Sequence, residues 1–102
     1  MISSFQPPPR EVTPPGRLVL CLYVAGASPN SERARANLRE IIEQTFPNGC
    51  QLEVVDVLVD TERALRDQVL VTPTLIKLAP SPRAEVVGDL RERALVLLAL
   101  GR

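Results

Sequence analysis

The feature that most limits what this chain folds into is an unbroken apolar run, LVLCLYVA, over residues 18–25. It is rich in strand formers, too short for a typical helix, and ends at Gly26. A strand with one wet face alternates apolar and polar residues; this one does not. It therefore needs cover on both faces, as in a parallel or mixed sheet flanked by helices. The next residues supply such a helix. Ser28 reads as an N-cap and Pro29 as the first helical residue. Ala34, Leu38, Ile41, Ile42 and Phe46 then form one apolar stripe, with Arg35, Arg39, Glu40 and Glu43 on the other face. Arg39 and Glu43 lie four apart, the spacing of a weak helical ion pair. Pro47-Asn48-Gly49 closes the helix with turn residues. Residues 51–58, QLEVVDVL, read as a second strand. Strand, crossover helix and strand make a right-handed βαβ unit with parallel strands.

Residues 60–70 predict a shorter helix, capped by Asp60 or Thr61, with Ala64, Leu65 and Val69 facing inward. Thr72-Pro73-Thr74 breaks it and leads into a third strand over 75–79. Pro80-Ser81-Pro82 connects to a short fourth strand over 84–87, expected at an edge and ending at Gly88-Asp89. Residues 91–100, RERALVLLAL, suit either a helix or a buried strand, because Ala and Leu favour the first and the apolar run permits the second. Residues 1–16 hold five of the ten prolines, which predicts an extended arm outside a single folded domain over 17–102.

Composition removes several function classes. The 102 residues suffice for one small domain. Twelve Lys+Arg balance twelve Asp+Glu, which argues against a nucleic-acid binder held by bulk charge. No apolar run reaches the ~18 residues that span a bilayer, and no secretory signal pattern opens the chain, so the cytosol is the expected compartment. Histidine is absent, which removes Ser-His-Asp and Cys-His catalysis and imidazole zinc sites. Cys21 and Cys50 form no CxxC; Cys21 should be buried and inert, and Cys50, after a turn, a free surface thiol. Ser28 and Ser31 lack a base, and Lys77 is the only lysine. Asp56, Asp60 and Glu62 read as strand and helix-start residues, and Gly26 and Gly49 make no phosphate loop. The chain is expected to be no enzyme and to need no cofactor or metal.

The order β-α-β-α-β-β-α, with Thr-Pro-Thr before the third strand, resembles a thioredoxin-like α/β fold. The resemblance implies a cis Thr72–Pro73 bond. Where that fold carries its redox cysteines, this chain has Ser28-Pro29-Asn30-Ser31, so thiol-disulfide exchange is not expected.

Leu22-Tyr23-Val24-Ala25-Gly26 followed by Ser28-Pro29-Asn30-Ser31 resembles the LYVAG-x-(T/S)-PNS signature of the circadian clock family KaiB. Val55-Asp56-Val57-Leu58, Thr72-Pro73-Thr74-Leu75 and Val86-Val87-Gly88-Asp89-Leu90 match three further family motifs in order, over about residues 17–100. The resemblance implies a non-enzymatic regulator that binds a KaiC-type ATPase and, in complete clocks, sequesters KaiA. It implies a metamorphic chain: a self-associated ground state, tetramer or dimer, and a monomeric thioredoxin-like binding form. Arg33, Gln51, Leu52 and Glu53 then become candidate partner-binding residues. Ser28, Pro29, Pro73, Gly88, Asp89 and Ala99 become candidates for shaping or switching the fold, with Ala99 standing where family members can carry Gly. Ala there favours the helical form of the last segment. Glu53 replaces a Lys common in clock members, and no acidic tail follows Arg102. These departures point to a divergent paralogue with a clock or stress role and weigh against KaiA binding. The competing readings are a sensor domain like the N-terminal part of the SasA kinase and a degenerate thioredoxin-like redox protein.

Overall fold

The run at residues 18–25 becomes β1, Val19–Val24, and the packing is built around it. The computed structural model describes residues 17–46 and 50–101. After β1 come α1 (Pro29–Thr45), β2 (Gln51–Asp56), α2 (Thr61–Arg66), β3 (Thr74–Ala79), β4 (Ala84–Val87) and α3 (Arg93–Ala99). The Pro-rich arm and the turn Pro47-Asn48-Gly49 lie outside the described residues.

The four strands make one sheet in the order β2-β1-β3-β4. β1 runs parallel to β2, with Val19 opposite Gln51 and Val24 opposite Asp56. It runs antiparallel to β3, with Tyr23 opposite Thr74. β4 is the outer antiparallel neighbour of β3, at the edge where its short sequence puts it.

Both faces of β1 are covered, as its unbroken apolarity demands. Leu20, Leu22 and Val24 pack with Ala34, Leu38 and Ile41 of α1 and with Val96 and Leu100 at α3. Cys21 and Tyr23 point the other way, to Val55, Ala64 of α2 and Ile76. Helices thus cover the sheet on two sides, the layered arrangement of a thioredoxin-like fold. Leu38 is fully buried, and burying a side chain of that size stabilises by about 1.5–3 kcal/mol.

α1 starts as its sequence dictates. The Ser28 hydroxyl accepts the Ser31 amide at 3.3 Å, and Pro29 opens the first turn. α2 is shorter than the expected 60–70. Asp60 caps it by accepting from the Arg63 amide at 3.2 Å, but Gln68 takes φ 59° and ends it. The Val69 amide then donates back to the Ala64 carbonyl at 2.9 Å, a left-handed helix stop. With so few turns, Ala64 and the following Val69 are the apolar side chains of this segment that pack on the sheet. Leu65, expected to face inward, points to solvent with 71% of its surface exposed. The segment 91–100, open on periodicity, is helical over Arg93–Ala99. The Thr72–Pro73 bond is cis, and the Pro73 carbonyl accepts the Gly88 amide at 2.9 Å. Among the described residues no helix is long and apolar enough to cross a membrane.

Candidate functional site

The corner that opens α1 is built for shape. The Ser31 hydroxyl, fully buried, accepts the Ala25 amide at 3.0 Å while its own amide is held by Ser28. One oxygen of Asp56 accepts the amides of Gly26 at 3.0 Å and Leu58 at 2.9 Å, which ties the β1–α1 loop to the β2–α2 loop. Gly26 sits at φ 55°, and a Cβ there meets the Leu58 side chain at 3.3 Å. These serines and this carboxylate are engaged with backbone amides. Among the described residues no group of three His, Cys, Asp or Glu could hold a metal ion.

β2 forms the other edge of the sheet. The Gln51 and Val57 amides donate to the carbonyls of Leu18, just before β1, and Val24, its last residue, at 2.9 and 2.8 Å. In a parallel ladder of period two, the amides and carbonyls of Leu52 and Val54 therefore face outward. Side chains alternate too. Leu52 and Val54, 38% and 42% exposed, lie on the α1 face. There they join Leu22, Leu38, Ile42 and Cys50 in a groove of about 330 Å³, with Arg35, Arg39 and Glu43 along its helical rim. Cys50 is a free thiol, as expected, but it does not lie on the surface that its place after a turn suggests. It is half-buried against the core, and burial pushes its thiol up, opposed by Arg17.

Glu53 points to the α2 face and pairs through both carboxylate oxygens with Arg63, one contact at 3.0 Å. This pair raises the Arg63 pKa further, against the effect of burial. Arg63 also lies 3.9 Å from the buried Cys21 sulfur. Burial pushes the Cys21 thiol up, partly offset by Arg63. Tyr23 donates to Asp67; burial and that hydrogen bond raise its phenol pKa. The polar cluster beneath α2 draws on residues scattered from 21 to 67, and no local motif announces it.

Arg33 stands elsewhere. At 3.6 residues per turn, positions 33 and 35 are about 200° apart around α1. Arg35 therefore overhangs β2 while Arg33 faces the β4–α3 connection. There its Nε pairs with Asp89 at 3.3 Å, and it also donates to Asn30. The Asp89 carbonyl accepts from Asn37 at 2.8 Å and its carboxylate accepts the Arg91 amide at 3.2 Å. The structure thus brings Gln51, Leu52 and Glu53 together on β2 and places Arg33 on the opposite flank of α1. Gly88, at φ 114°, and Asp89 form the turn into α3; Ala99 is the last residue of α3.

This arrangement defines a class: a thioredoxin-fold domain whose helix-opening corner carries serines instead of a cysteine pair. Solved structures share the architecture. The N-terminal domain of Synechococcus elongatus SasA superposes with a TM-score of 0.69 at 24% identity, covering 94% of this chain and 89% of that one. A thioredoxin from Trypanosoma brucei brucei gives 0.67 at 19% identity, covering 87% and 78%. The family model of the KaiB domain matches residues 21–102. The "Circadian clock oscillator protein KaiB" of Trichodesmium erythraeum is 49% identical over 82 residues, 80% of this chain and 79% of the relative. "Circadian clock oscillator protein KaiB1" of Synechocystis is 48% identical over 80% of this chain and 78% of the relative. The chain belongs to the KaiB family.

Proposed function

We propose that this chain is a circadian-clock-type regulator that acts in the cytosol by binding, not catalysis, and that its partner is a KaiC-type ATPase. The observation that carries the reading is the family match over residues 21–102, with relatives named as clock oscillator proteins at close to half identity. The thioredoxin-like form is the binding form. Its contact surface takes in the β2 edge, with Gln51, Leu52 and Glu53, and extends over α1 to Arg33. The outward-facing backbone of Leu52 and Val54 supports this placement, because an unpaired edge accepts a further strand or loop. KaiA is the weaker partner, since Glu53 stands where clock members commonly carry Lys.

A second, self-associated fold is part of the same reading. Leu65, Leu70, Val71, Leu95 and Leu98 leave more than half of their surface in water, all in the second half of the chain. Such exposure favours an alternative packing that covers them. The SasA-like sensor reading rests on fold alone.

The test is size-exclusion co-elution of the full chain with cognate KaiC-type ATPases, with and without ATP. The reading expects the chain to move to the ATPase fraction. No shift with any of them, under conditions that assemble other family complexes, overturns it.

A further inference from the structure

The groove between α1 and β2 contains a buried donor without a partner. The Arg35 Nε is buried and has no hydrogen-bond partner among the described residues. Its guanidinium has one long contact, Nη2 to the Gly26 carbonyl at 3.5 Å. One turn further on, Arg39 projects exposed along the same rim. Another turn on stands Glu43, at the Cys50 end of the groove. Below this rim the floor is apolar and partly open to water, with Ile42, Leu52 and Val54. Charge therefore changes sign along the groove, from two arginines to one glutamate. A guanidinium with one buried donor unpaired, beside an open apolar floor, suits a group that brings a carboxylate and an apolar side chain together.

We propose that Arg35 and Arg39 form a carboxylate-binding subsite. It takes an acidic side chain from an extended segment of the partner, while the neighbouring apolar side chain of that segment settles on Leu52 and Val54. The proposal deepens the binding reading above and rests on it for the partner's identity. The sign change fixes direction. The acidic residue sits over Arg35 and Arg39, and no carboxylate is accepted near Glu43. A guanidinium pair of this kind gives bidentate recognition that a lysine does not reproduce.

The test has two arms, both with the full chain. In the first, isotope-labelled protein is titrated with a peptide of alternating Glu and Val, and separately with one of alternating Gln and Val. The Glu/Val peptide is expected to shift the signals of Ile42, Leu52 and Val54, and added salt to weaken it. Arg39→Gln, at an exposed position that leaves the core intact, is expected to weaken it about tenfold. Arg91→Gln removes one positive charge away from the groove and is expected to change nothing. Equal binding of the two peptides, shifts confined to another face, or residues 1–16 seated undisplaced in the groove overturn the subsite. The second arm repeats ATPase co-elution with Arg39→Gln. Co-elution that is unchanged by this substitution, together with equal peptide binding, overturns the subsite and leaves the ATPase reading standing. Selective Glu/Val binding without any ATPase co-elution supports the subsite and removes the ATPase as its owner.

Discussion

Ser31 is a small residue with two structural duties. It is fully buried, and its hydroxyl accepts the Ala25 amide where β1 turns toward α1. Ser31→Ala leaves that amide without a partner, and the expected loss is about 1–3 kcal/mol in chemical denaturation. Gly88 is sensitive for another reason. A Cβ there meets nothing within 4 Å, but φ 114° disfavours any L side chain. Gly88→Ala should therefore destabilise this fold by about 1–2 kcal/mol through strain alone. Burial lifts the Cys21 and Cys50 thiols above their ordinary 9.0 and the Tyr23 phenol above its ordinary 10.0. The unfolded chain then loses these protons at lower pH than the folded one. Stability is fully present below pH 9.0 and falls as pH rises past it. Melting temperature followed upward from neutral pH should decline less steeply in Cys21→Ala; equal slopes contradict the assignment. Ser28 and Pro29 were legible in the sequence because capping is local. The Ser31 bond to Ala25 and the Arg35 setting were not, because each depends on how a loop or strand returns in three dimensions.

Among the elements, β1 and α1 follow directly from their residues: an unbroken apolar strand and a 3.6-residue stripe. α2 does not. Its sequence carries helical spacing to Val69, but Gln68 enters the left-handed region and leaves Leu65 outside. α3 was ambiguous because Val96 to Leu100 suits either state, and only packing of Val96 and Leu100 beneath the α1 layer selects the helix. Ala99→Gly should lower the helix population of residues 91–100 by up to about 1 kcal/mol, read from backbone chemical shifts. Strand-type shifts for this segment in a major tetrameric species of the unmodified chain contradict the preference for the helical form. The Glu53–Arg63 pair joins β2 to α2, yet Glu53 is 43% exposed and Arg63 24% exposed. Glu53→Gln should cost no more than about 1 kcal/mol in denaturant unfolding.

At the scale of the molecule, element order and the parallel β1–β2 pair were legible, because a right-handed crossover restricts topology strongly. The surface was only partly legible. Gln51, Leu52 and Glu53 are neighbours in sequence and remain so in space, whereas Arg33 is carried to the other flank of α1 by helical rotation. The central proposal is that the β2 edge and α1 form the surface by which this KaiB-family chain would bind a KaiC-type ATPase. Amide hydrogen exchange of the full chain, with and without the KaiC-type ATPase, tests it most directly. Leu52 and Val54 present their amides outward and should exchange readily in the free chain. The account predicts that the ATPase slows exchange at β2 and α1 and leaves β4 unchanged. Exchange that is identical with and without the ATPase, or protection confined to β4, contradicts it.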